Sequence, residues 1–203
     1  MTGNPDLIKQ YRQVHATCHY GDSSIKNARF LRPEVVLLRP HSILDYGCGR
    51  SLLIDQFDFD CVVERIRYDP AIPAFSVKPR TPVDLLINID VLEHIEELDL
   101  DAVMGEMRLL CRNAIIIVDT KPASTILPDG RNAHVSIRPR EWWRERLSRH
   151  FPALYPVATV RRSRAGFRTW RRGAIGTIKY CGLRAVENVR YFGGRALQRT
   201  SRR

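Results

Sequence analysis

Short apolar runs closed by an acidic residue recur along the 203-residue chain. Ile43-Leu44 runs into Asp45, Val62–Tyr68 into Asp69, and the stretch from Val83 reaches Asp90 before turning into Val91-Leu92-Glu93-His94. Ala114–Val118 is a further run, rich in β-branched residues, and reads as a buried strand. Between these runs the period becomes helical. Asp6–Thr17 sets Leu7, Tyr11 and Val14 on one face, and Ile25–Leu38 reads as a second helix interrupted by Pro33. His19-Tyr20-Gly21-Asp22 marks the turn between them, and Tyr11, like other aromatics at helical spacing, reads as packing against the core. Leu52–Phe57 looks helical. Leu98–Leu110 carries Leu98, Ala102, Met107, Leu109 and Leu110 as the apolar marks of a helix. Pro139 opens another, in which Trp142, Leu147 and Phe151 face inward and the arginines face water. Tyr155–Val160 and Phe167–Trp170 read as two strands joined by the basic turn Arg161–Gly166. Strands alternating with helices predict an α/β fold with a mostly parallel sheet.

The chain is organised around SILDYGCGRS, Ser42–Ser51. A strand ending in Asp45 meets Gly47 and Gly49, which can take positive φ and offer bare backbone to a nucleotide-like ligand. Asp69 follows at the end of the next strand, about 20 residues on, where an acid can accept both ribose hydroxyls. A dinucleotide fold would want glycine or alanine at position 52, which is Leu52, and Asp45 would sit awkwardly near a pyrophosphate.

ILDYGCGRS, YDP, DLLINIDVLEHI and NAIIIVDT, in this order, resemble the class I S-adenosylmethionine-dependent methyltransferases over roughly Tyr11 to Arg172. The resemblance implies a Rossmann-like, doubly wound sheet closed by a C-terminal antiparallel hairpin. It places Asp45, Tyr46, Gly47, Cys48 and Gly49 beside the methionine part of S-adenosylmethionine, Asp69 and Pro70 at the ribose, and Asp90, Val91 and Leu92 along the cofactor pocket. Ser51 stands where the family usually has a third glycine. The family norm after Asp69 is a helix, a third strand and an acid that reads adenine. Here Pro70–Val83 carries four prolines in a short segment, so a loop replaces that strand and its helix, and adenine contact falls to backbone in Ala71–Ser76.

Methyl transfer to a hydroxyl needs a base, and histidine suits neutral pH. His94, at the start of a helix after Asp90, and His134, in the long connection Asp119–Arg138, are the candidates. That connection leaves the carboxyl edge of the sheet and should cover the acceptor, with Asp129, Arg131 and Asn132 as its polar contacts. DVLEH is also similar to an element of metal-dependent O-methyltransferases. Asp90, Glu93, His94 and His134 therefore form an alternative divalent-metal set, the less favoured reading. No Asn-Pro-Pro-Tyr element follows Asp90, which removes the main signature of amino-group methylation on nucleobases. The resemblance implies O-methylation of a small molecule, glycan or lipid-linked glycan.

Composition changes this picture mainly at the C-terminus. Hydrophobic residues are 44% and charged residues 27%, ordinary for a soluble domain, and no run is long enough to span a bilayer. The polar start MTGNPDLIKQ is not that of a signal peptide, and five scattered cysteines without CxxC spacing point to a reducing cytoplasm and against zinc. The net charge of +11 is concentrated: residues 161–203 hold 13 Lys and Arg and one acid, Glu187. From Ala174 on, Ile175, Ile178, Gly182, Val186, Val189 and Leu197 recur at helical spacing, with Lys179, Arg184, Arg190 and Arg195 largely off that stripe and a break at Gly193-Gly194. The chain thus divides into a methyltransferase domain, 1–172, and a basic helical tail, 173–203. The tail suits an anionic membrane, or RNA phosphates if the enzyme methylates RNA. A cofactor-binding protein without chemistry is the third reading.

Overall fold

The computed structural model describes residues 3–17, 22–57 and 63–200, with backbone alone at 22, 23 and 193–200. His19, Tyr20, Cys18, Cys61 and the strand start at Val62 lie outside the described residues. Strands β1 (Ser42–Tyr46), β2 (Glu64–Tyr68), β3 (Val83–Ile89) and β4 (Cys111–Asp119) run parallel. Strand β5 (Tyr155–Pro156) and the longer β6 (Arg164–Arg168) complete a six-stranded sheet in the order β2-β1-β3-β4-β6-β5, with β6 antiparallel to both neighbours. This is the trimmed α/β sheet expected. The segment from Asp69 to Val83 makes only the single turn Pro73–Phe75, and among the described residues no strand flanks β2 on its outer side. The strand order reverses at β1, which opens a crevice beyond the carboxyl ends of β1 and β3.

Helices α1 (Pro5–Thr17), α2 (Asp22–Leu38), α3 (Leu100–Leu109), α4 (Arg140–Ser148) and α5 (Ala174–Thr200) pack around this sheet. Because side chains alternate across each strand, Ile43, Leu85, Ile87, Ile115 and Ile117 meet Leu31 and Val35 of α2 on one face. Leu44, Leu86, Ile116 and Val118 meet Met104, Met107, Trp143 and Leu147 of α3 and α4 on the other. Burial on both faces accounts for the apolar runs Leu85–Ile87 of β3 and Ala114–Val118 of β4, at about 1.5–3 kcal/mol for each large side chain withdrawn from water. Helix α1 belongs to neither layer. Its Leu7 and Val14 pack on Leu127 and Ala133 of the connection after β4, which roofs the crevice.

Several expected elements are displaced, each for a local reason. Leu52–Phe57 winds only one turn, Ile54–Gln56, and His94 ends another, Leu92–His94, well before α3. Helix α3 starts at Leu100, so its buried stripe is Leu100, Val103, Met104 and Met107, while Leu98 and Leu109 are exposed. On α4, Trp143 rather than Trp142 is fully buried, and Arg146 turns from water to pair with Asp101 at 2.8 Å. The hairpin turn ends at Ser163, which moves Arg164–Gly166 from the expected turn into β6.

Pro33 does not interrupt α2. It removes the N–H that would bond the Arg29 carbonyl, but the Arg184 guanidinium of α5 donates to that oxygen at 2.8 Å. Helix α5 also runs through Gly193-Gly194 without a break. It lies along α2, with Arg32 and Glu187 paired at 3.4 Å and the Arg29 and Arg184 guanidinia over the Tyr191 and Phe30 rings.

Candidate active site

At the end of β1 the chain turns through Gly47-Cys48-Gly49, with φ +76 at Gly47 and +51 at Gly49. The Gly47 and Cys48 N–H groups donate to the Tyr68 carbonyl at 2.7 and 3.1 Å, tying the turn to the end of β2. A Cβ on Gly47 would stand 2.4 Å from Val91 Cγ2, so the close approach of these two segments requires glycine. Asp69, directly after β2, accepts Gly49 N–H at Oδ2 and Ala71 N–H at Oδ1, both at 2.8 Å. Each carboxylate oxygen keeps a further lone pair, and the group faces a cavity of about 540 Å³ between the sheet edge, α1 and the roof.

Tyr46, Gly47, Cys48, Gly49, Asp69, Pro70, Asp90 and Val91 all line this cavity. Asp45 and Leu92, expected beside them, are buried and do not line it. Burial pushes the Asp45 carboxyl up to about 7, opposed by Arg67 and reinforced by Asp69. Burial also raises the Cys48 thiol, with Asp45 and Asp69 adding to the rise, which makes it inert as a nucleophile.

Both expected histidines line the same cavity, their rings 4.8 Å apart and nearly perpendicular. His94 Nδ1 lies 2.8 Å from the Ala133 carbonyl and His134 Nδ1 2.5 Å from the Lys121 carbonyl. A carbonyl accepts only, so each Nδ1 carries the proton in the neutral ring and each Nε2 keeps its lone pair. Burial pushes His94 down to about 3, with His134 adding to the fall and the Ala133 carbonyl opposing it. Burial likewise lowers His134, opposed by the Lys121 carbonyl and Asp119. His94 is therefore a very weak base, braced further by the Tyr11 hydroxyl, which donates to Ala133 O at 2.6 Å. His134 is the better proton acceptor of the two.

Asp129, Arg131 and Asn132 do not line the cavity. Arg131 pairs with Asp129 at 2.8 Å and Glu96 at 3.0 Å on the outer surface, and Asn132 brackets the Ala123 backbone. They brace the roof. Members of the alternative metal set are engaged by other groups. Glu93 accepts Asp119 N–H at 2.7 Å, Asp90 pairs with Arg164, and His94 Nδ1 is held by Ala133. Among the described residues no group of three or more His, Cys, Asp or Glu could hold a metal ion.

Arg164 is the residue the sequence reading missed. It lies opposite Asp119 in the β4–β6 ladder, is 5% exposed, and binds Asp90 at 2.5 Å and Asp119 at 3.3 Å. It offsets two carboxylates at the cavity wall and helps hold Asp90 at φ +56, a left-handed conformation costly for a non-glycine residue. The available signal was the alternation of Arg164, Gly166 and Arg168 with Ala165 and Phe167, which marks a strand where a basic turn was expected.

No family model matches the chain, and no curated protein sequence matches it. Among solved structures, the fold is similar to that of the Burkholderia thailandensis 1,6-didemethyltoxoflavin-N1-methyltransferase with bound 1,6-didemethyltoxoflavin and S-adenosylhomocysteine. That match has 12% identity and a TM-score of 0.50, covering 73% of this chain and 80% of that one. A putative O-methyltransferase from Nostoc punctiforme matches with 13% identity and a TM-score of 0.51, over 82% of this chain and 60% of that one. One chain of an RNA repair complex matches with 13% identity and a TM-score of 0.50, over 82% of this chain and 46% of that one. The likeness is one of fold, a mostly parallel α/β sheet with an antiparallel pair, and among the described residues no strand lies beyond β2.

Proposed function

We propose that the chain is an S-adenosylmethionine-dependent methyltransferase that methylates an oxygen on a small molecule or glycan. The observation that carries this reading is one cavity lined by the glycine turn, the Asp69 carboxylate and the His134 imidazole. Asp69 would accept the two ribose hydroxyls, its oxygens already oriented by Gly49 and Ala71. The glycine turn would let the cofactor approach backbone, and Pro70 and Ala71 would border its nucleoside. The cofactor, when bound, supplies an electrophilic methyl group on a sulfonium.

The protein's own contribution is orientation and proton removal. His134 Nε2 would take the acceptor hydroxyl's proton as the oxygen gains the methyl, and Lys121's carbonyl would keep Nδ1 protonated and the ring aimed. The proton then passes to solvent. His94 would pack against that ring and fix its plane. Calorimetric titration with S-adenosylhomocysteine tests the reading: native protein should bind at micromolar Kd and Asp69→Ala should lose at least tenfold. Absence of binding by the native protein would overturn it.

A further inference from the structure

The surface that this site leaves unexplained is the outer face of α5. At 3.6 residues per turn, Ile175, Ile178, Gly182, Val186, Val189 and Phe192 fall within one arc of about 120°. The five side chains among them are 48–73% exposed. The opposite face, carrying Tyr180, Arg184, Glu187 and Tyr191, is the one turned to the body, held by ion pairs and by cations over rings. The helix is thus dressed in reverse, polar inward and aliphatic outward. A continuous exposed apolar ridge of this kind marks an interaction surface.

Charge selects the partner. Lys179 and Arg190 border the ridge along one edge, and exposed Arg171 precedes the helix. The one acid in residues 161–203, Glu187, is 8% exposed and paired with Arg32 and Arg190, so it offers no negative charge outward. A second copy would set two cationic edges against each other. RNA would use the cations but has no use for branched aliphatic side chains, which cannot stack on bases as aromatic rings do. An anionic bilayer surface uses both features: its headgroups attract the cations and its acyl boundary receives the ridge. No described helix is long and apolar enough to cross a membrane, so the contact is peripheral. We infer that α5 lies in the interface plane of an anionic lipid bilayer, with Ile175, Ile178, Val186, Val189 and Phe192 directed into it. This inference does not rest on the cofactor reading.

Co-sedimentation of the full chain with vesicles of phosphatidylcholine alone, and of phosphatidylcholine mixed with phosphatidylglycerol, tests it. The anionic vesicles should bind at least tenfold better, and less well as salt rises. Ile178→Asp with Val189→Asp should weaken that binding by about a hundredfold, from the lost apolar burial of two side chains. Lys179→Glu should weaken it about fivefold or more. All three positions are exposed, so urea midpoints and S-adenosylhomocysteine affinity should stay at native values and separate a failed surface from a failed fold or site. Equal binding to both vesicle types, or undiminished binding by the double aspartate variant, would overturn the inference. So would a native dimer in sedimentation velocity that the double variant turns into monomer, or RNA binding that it abolishes.

Discussion

Gly47→Ala probes the closest approach in the site. Two separate costs attach to the added methyl group. The backbone at φ +76 is left-handed, which for alanine costs about 1–2 kcal/mol. The new Cβ would also stand 2.4 and 2.7 Å from the two Val91 γ-carbons, and overpacking of that kind costs about 1–3 kcal/mol. The single variant should therefore lose about 3 kcal/mol in urea unfolding and bind S-adenosylhomocysteine more weakly, because the turn lines the cavity. The two costs separate in a double-mutant cycle with Val91→Ala. That change removes both γ-carbons and leaves only Val91 Cβ, at 3.1 Å, so the overpacking is relieved while the left-handed cost stays. The double variant should recover about 1–2 kcal/mol relative to additivity. Additive losses, within about 0.5 kcal/mol, would show that Val91 does not press on the turn. A single-variant loss well under 1 kcal/mol would refute the left-handed turn as well.

Three further outcomes follow from other parts of the molecule. His134→Gln should lower kcat by about 10²- to 10⁴-fold while leaving S-adenosylhomocysteine affinity within a few-fold, and an unchanged kcat would remove it as the base. Asp45, held up at about 7 from its ordinary 3.8, makes stability fall as pH rises. Below the ordinary value folded and unfolded chains both hold the proton, between the two values only the unfolded chain ionises, and above the folded value the loss is complete. Asp45→Asn should flatten that slope, worth at most about 4 kcal/mol, in urea midpoints across this window; an unchanged slope would place the titrating group elsewhere. Arg184→Ala should cost about 1–3 kcal/mol by stripping the Arg29 carbonyl of its donor. The same change should cost less in a Pro33→Ala background, where residue 33 regains its own N–H; equal costs in both backgrounds would deny the compensation.

The parts of the site legible in the sequence are those governed by chain-local rules. A glycine turn after a strand needs positive φ, and Gly47 and Gly49 have it. An acid at the end of the neighbouring parallel strand must emerge beside that turn, and Asp69 bonds Gly49 N–H. Four prolines in a short segment forbid a strand, and none forms between Asp69 and Val83. The residues misplaced were those whose position depends on where an element starts. Helix α3 begins at Leu100, which exposes Leu98; the hairpin turn ends at Ser163, which buries Arg164. A shift of one or two residues along a helix or strand exchanges inner for outer face, and local pattern fixes such boundaries poorly.

Helix α5 shows the deeper limit. Its aliphatic stripe was legible as a stripe, and the usual expectation for a helix on a globular body turns such a stripe inward. What reverses it is a set of contacts between segments more than 150 positions apart. The Arg29 carbonyl orphaned by Pro33 needs a donor, and Arg184 supplies it at 2.8 Å from the inner face of the helix. With Arg184 inward, Glu187 falls on the same face to meet Arg32 and Tyr191 to meet Arg29, and the aliphatic positions half a turn away are left outside. The proline that looked like a break in one helix thus leaves a carbonyl that another helix satisfies from the face opposite its apolar stripe.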